Sequence, residues 1–111
     1  MIINDTAELF KALGDLTRLK ILKIIASKGN RSCVGAVAYN LSISQPAVSQ
    51  HLKILKNAGL VISEKIGYHV HYSIRKNRLD ELGMDLGQLL DAVELESDDL
   101  NNCCSERNDI K

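Results

Sequence analysis

The sequence predicts a single, mainly α-helical domain that carries one small β-hairpin. Three observations predict it. The chain is 111 residues long, enough for one core and not two. Apolar residues recur at helical spacing over most of that length, and between residues 60 and 75 the period changes from 3.6 to 2. A 45% hydrophobic share with one proline and seven glycines excludes a wholly disordered or fibrous chain.

The first helix is expected over Ala7 to Leu13, with Thr6 as its N-cap and Gly14 at its end. A second helix follows Asp15 and carries Leu16, Leu19, Ile21, Leu22, Ile24, Ile25 and Ala26. Apolar on nearly every side apart from Arg18, Lys20 and Lys23, it is expected at the centre of the core. Asn30 to Ser32 read as a loop, with Ser32 capping a third helix that holds Val34, Val37, Ala38 and Leu41. Ser42 breaks that helix. Ser44 caps a fourth, which tolerates Pro46 in its first turn, runs through Val48, Leu52, Leu55 and Ala58, and closes at Gly59. Two helices joined by only Ser42 to Ser44 have the form of a helix-turn-helix.

Leu60 to Ile66 and His69 to Arg75 then flank Gly67-Tyr68 as the arms of a hairpin. Val70, Tyr72 and Ile74 form its dry face, and His69, His71, Ser73 and Arg75 its wet face. From Asn77 the helical period returns, with Leu79, Leu82, Leu86, Leu89, Leu90 and Val93 on one stripe to about Glu96. A core already filled by the central helices and the hairpin cannot cover that stripe. A homodimer through the first and last helices is therefore expected. Residues 1–96 form the folded unit, and residues 97–111 read as an acidic, flexible tail that contains Cys103 and Cys104.

A formal net charge of zero conceals a strong segregation. Residues 11–78 carry 12 Lys and Arg against only Asp15 and Glu64, a net +10, whereas residues 79–111 carry 2 bases against 10 acids, a net −8. A basic body of this kind suits a polyanion such as double-stranded DNA, whose phosphates release condensed counterions when Lys and Arg neutralise them. On charge alone, a solvated basic face paired with the acidic tail competes with that reading. No apolar run is long enough to span a membrane, and no secretory signal pattern opens the chain, so a cytoplasmic protein is expected. Three cysteines, an odd number, fit structural, metal-binding or redox thiols better than a disulfide scaffold.

Pattern decides for DNA. With Val48, Leu52 and Leu55 facing inward, Gln45, Ser49, Gln50, Lys53 and Lys56 occupy or border the opposite face of the fourth helix. Gln pairs with adenine through two hydrogen bonds, Ser44, Ser49 and Ala47 suit phosphates or a thymine methyl, and Lys53 suits phosphate. Lys65 and Tyr68 lie at the hairpin tip, as contacts for the adjacent backbone.

Three stretches carry a family resemblance: Leu9 to Leu19 (LFKALGDLTRL), Ser44 to Lys53 (SQPAVSQHLK), and Ala58 to Val61 with Lys65 to Tyr68. In that order and spacing, residues 5–96 resemble the ArsR/SmtB repressors. Leu16 stands where that family commonly has proline, and Tyr68 where it commonly has arginine. The resemblance implies a dimeric winged helix-turn-helix repressor that senses a metal, a metalloid or thiol oxidation.

Of the family's arsenic-type motif C-V-C-D-L-C, only Cys33 is present, Gly35 and Ala38 replacing the other two thiols. The zinc-type site needs histidine on the last helix, and residues 79–96 contain none. Cys33 with Cys103 and Cys104 is thus the candidate metal set, a three-thiolate pyramid suited to As(III) or Sb(III). Zn(II) or Cd(II), or a redox switch between Cys33 and the tail, are the alternatives, beside a purely structural Cys33. His69 and His71 are spaced to chelate, although phosphate or solvent contact competes. An enzyme or thiol carrier is disfavoured, since there is no C-x-x-C, no Gly-rich phosphate loop and no nucleophile–base set at motif spacing.

Overall fold

The computed structural model describes residues 2–95. The elements run α1 (Ile3–Leu13), α2 (Leu16–Ser27), β1 (Ser32–Cys33), α3 (Val34–Leu41), α4 (Gln45–Asn57), β2 (Val61–Ile66), β3 (His69–Ile74) and α5 (Lys76–Leu95). The three strands form one antiparallel sheet in the order β1-β3-β2. Five helices with a hairpin wing are the architecture the periodicity predicts. The core gathers Leu9, Ile21, Ile25, Val37, Val48, Leu52, Leu55, Leu60 and Val61 from the first four helices and the start of the wing, and Leu82 closes it from α5.

Local chemistry sets most boundaries. Asp15 caps α2, its carboxylate accepting the Arg18 backbone N–H at 3.0 Å. That hydrogen bond holds the Asp15 carboxyl below its ordinary range. Ser44 caps α4 by accepting the Ala47 N–H at 3.2 Å. Between α3 and α4, Ser42 takes a left-handed φ of 56°, while the Ile43 and Ser42 N–H groups bond back to the carbonyls of Ala38 and Tyr39. The same pairing closes α4, where Gly59 has φ 78° and the Leu60 and Gly59 N–H groups reach the carbonyls of Leu55 and Lys56. At the wing tip only Gly67 of the two-residue loop has positive φ, the pattern of a type II′ turn.

Four expectations need correction. α1 starts at Ile3, not Ala7, so Thr6 is not its cap but a buried helical residue whose hydroxyl donates to Asp85 of α5 at 2.7 Å. Ser32 does not cap α3 either. Ser32 and Cys33 form β1, pairing with Tyr72 and His71, because the free edge of β3 offers the backbone better partners than a loop would. Gly29 and Asn30, both at positive φ, make the turn into β1, and the Asn30 side chain pins it to both backbone groups of Ile74. Finally, α2 is central along one side only, since Leu16 and Leu19 are exposed.

Candidate nucleic-acid interface

The first turn of α4 projects from the body with its apolar side held down by Val48, Leu52 and Leu55, all fully buried. Ser44, Gln45, Ser49, Gln50 and Lys53 are exposed on the outward side, and Ala47 is half-buried beside them. The wing carries Lys65 on β2 and Tyr68 at its tip, the latter 99% exposed. Lys56 lies nearer the body and donates to Ser63 of β2 at 2.8 Å, tying the helix to the wing. The structure thus brings the helix residues onto one outward surface and leaves the two wing residues free at the hairpin end.

Cys33 is a free thiol, half-buried, at the N-cap position of α3. It borders a cleft of about 270 Å³ whose lining includes Gly35, Gln45, Tyr68 and His69, so the thiol and the outermost glutamine of α4 share one recess. Cys103 and Cys104 lie outside the described residues, as does the whole of residues 97–111. Among the described residues, no three potential ligands already surround a common point.

The geometry of a short turn, a solvent-facing helix and a basic wing has direct counterparts. Residues 15–63 match the family described as bacterial regulatory protein, arsR family. An uncharacterized HTH-type transcriptional regulator of Methanocaldococcus jannaschii is 46% identical over 79 residues, which are 71% of this chain and 88% of that one. The chain belongs to the ArsR family. The arsenical resistance operon repressor of Escherichia coli is 40% identical over 67 residues, 60% of this chain and 56% of that one. A solution structure of a homodimeric winged helix-turn-helix DNA-binding domain from Mycobacterium bovis, a possible ArsR-family regulator, superposes with a TM-score of 0.66 at 28% identity, covering 86% and 85% of the two chains. The family is one of DNA-binding transcriptional regulators, not enzymes.

Within this ArsR-family chain, two groups of residues escape the pattern of the sequence. Arg18 donates from Nε to the Ala12 carbonyl at 2.6 Å, closing the end of α1, and its Nη1 lies 3.4 Å from His51 Nδ1. His51 also lies 3.9 Å from Asp15, so this histidine of α4 is satisfied structurally and anchors the α4 helix to the α1–α2 turn. The second group is His71 with Cys33, set opposite each other by β1. A two-residue strand has no period to detect. The only signal is the alternation that puts His69 and His71 on one face. No described helix is long and apolar enough to cross a membrane.

Proposed function

We propose that the protein is a homodimeric repressor that reads a palindromic operator in double-stranded DNA and is released by a thiophilic effector. The observation that carries the reading is the α4 face. Gln45, Ser49, Gln50 and Lys53 stand free in front of a fully buried Val48, Leu52 and Leu55, with Ser44 fixing the N-terminal turn that enters a major groove. In this reading Gln45 and Gln50 read base edges, Ser44, Ser49, Ala47 and Lys53 set the register on phosphates and methyl groups, and Lys65 and Tyr68 hold the neighbouring backbone.

The dimer reading rests on α1 and α5. Leu86, Leu89, Leu90 and Val93 are 42–70% exposed, and Ile3 and Phe10 of α1 are exposed as well. A Leu or Val taken from full exposure to full burial gains about 1.5–3 kcal/mol. Covering the exposed part, about half, of four such side chains on each of two protomers is therefore comparable to an association cost of about 4–15 kcal/mol. A two-fold pair places its α4 helices in half-sites about one helical turn, near 34 Å, apart or a multiple of that.

For the effector, Cys33 with Cys103 and Cys104 supplies three thiolates, the donor set that As(III) or Sb(III) prefers, with Zn(II), Cd(II) or thiol oxidation as alternatives. Residues 1–96 act as the DNA-binding and dimerisation unit and residues 97–111 as the thiol-bearing tail. The deciding experiment is a DNA-binding titration on the chain's own upstream region with As(III), Zn(II), Cd(II) and an oxidant added in turn. Salt-sensitive, sequence-specific binding that As(III) reverses supports the reading. Binding to no upstream duplex overturns it.

A further inference from the structure

Where α1 meets the end of α4 and the start of α5, the fold leaves an open pocket of about 480 Å³, within the range of about 300–1,000 Å³ of small-molecule sites. Its walls differ in chemistry. Asp5 and Glu8 of α1 line it as carboxylates, while Lys11 of α1 and Arg78 of α5 line it as cations. Ala12, Ile54 and Ala58 add an apolar wall. Among the described residues, the side chains of Asp5, Glu8 and Lys11 make no ion pair, so charges of both signs stand at the pocket without a protein partner.

The surrounding groups are held rather than loose. Arg78 directs Nη1 to Glu81 at 3.0 Å and packs Nε against the α4–β2 turn, 3.5 Å from where a Cβ on Gly59 would sit. Its remaining nitrogen is left for a carboxylate, which the arginine fork suits. Arg18, also in the wall, is fixed by its 2.6 Å hydrogen bond to the Ala12 carbonyl. The last turn of α4 brings the negative end of its dipole to Ala58, which favours a cation on the side of Asp5 and Glu8. A ligand of a single charge would leave groups of the other sign unpaired, and a wholly apolar one would desolvate both.

The pocket is set apart from the surfaces already assigned. At about 100° of turn per residue, Asp5 and Glu8 lie about 140–160° round α1 from Ile3 and Phe10, so it opens away from the face proposed for the second copy. Asn57, which lines it, is about 18 Å along α4 from Gln45, at the other end of the helix proposed to read DNA.

We propose that this pocket binds a small zwitterion, one amine and one carboxylate on an apolar body, such as an apolar amino acid or dipeptide. Arg78 and Lys11 take the carboxylate, Asp5 and Glu8 take the ammonium, and the apolar body lies against Ala12, Ile54 and Ala58. The site needs neither thiol nor metal and does not depend on the operator reading. Since pocket and reading turn lie at opposite ends of α4, ligand and DNA are bound at the same time.

Calorimetric titration of the full, metal-free chain with L-leucine and with L-leucyl-L-leucine tests the site. It predicts saturable binding of at least one of these probes, one molecule per protomer. The amide of that probe, without the carboxylate, and its N-acetyl form, without the amine, bind at least tenfold more weakly. Glu8→Gln and Lys11→Gln, both at exposed positions of α1, each weaken binding at least tenfold without changing the thermal melt, whereas Lys28→Gln, outside the pocket, binds as the parent does. No saturation by either probe up to about 10 mM overturns the site. So does equal binding of the amide or N-acetyl form, or parental affinity in both α1 variants. The same titrations are repeated on protein saturated with its upstream duplex, where displacement of the probe overturns the placement at the far end of α4. A chain that binds the probe as predicted but no upstream duplex loses the repressor reading and keeps the site.

Discussion

The reading head, from α3 through the wing, and the outer layer of α1 and α5 differ in how far one chain completes them. In the head, Val37, Val48, Leu52, Leu55, Leu60 and Val61 are buried almost completely, and the N-cap of α4 and the C-terminal turns of α3 and α4 are satisfied within the same chain. In α5, Leu82 is 6% exposed where it meets the core, but Leu86, Leu89, Leu90 and Val93 beyond it are open. Leu79 and Leu82 at its start and the Thr6–Asp85 hydrogen bond fasten that helix to the rest. The contrast teaches that the shape proposed to meet DNA is built within a protomer, while the proposed two-fold placement needs a second copy.

The largest expected effect breaks the outer layer and spares the head. Leu86→Glu puts a charge into the face proposed to pair, so the protein becomes monomeric and operator affinity falls more than 100-fold, while circular dichroism still reports a folded domain. Size-exclusion chromatography with light scattering, beside a DNA titration, checks both halves. Next comes the head itself. Gln45→Ala leaves the dimer intact and relaxes base discrimination by about 1–3 kcal/mol, read by comparing operator and mismatched duplexes. Lys65→Ala has a smaller and different effect, weakening all sequences alike and lowering the slope of log affinity against log salt by about one.

The smallest effect concerns the joint between the two regions. Asp15 caps α2, and its carboxyl titrates below the ordinary value because the Arg18 N–H, and then the charge of Arg18, favour the ionised form. A carboxyl with a lowered folded-state pKa stabilises the fold above its unfolded pKa and loses that contribution as pH falls through the folded one. Asp15→Asn should therefore melt slightly lower than the parent at neutral pH. The gap should close in acid, below the ordinary carboxylate range, as thermal melts at a series of pH values would show.

The same two regions explain how much of the molecule the sequence discloses. Periods of 3.6 and 2 locate the four later helices and the hairpin to within a residue or two, because each buries one stripe. The α4 surface is legible for the same reason, since Val48, Leu52 and Leu55 fix which side faces out. What the sequence hides is short or non-local. β1 has two residues and owes its existence to the edge of β3, 38 residues further on at the Cys33–His71 pair, so neither the sheet nor that side-chain pairing can be read from spacing. The start of α1 is hidden because Ile2 provides no side-chain cap. Thr6 misleads because a hydroxyl suited to capping serves equally well as a buried donor to Asp85.

The central claim is that a complete reading head acts only in pairs. Sedimentation velocity of the full chain at micromolar concentration, alone and with a duplex carrying its palindromic upstream sequence, tests that claim most directly. The account predicts a dimer in the absence of DNA and two protomers on each duplex. A monomer that binds the duplex singly, with undiminished sequence preference, would contradict it.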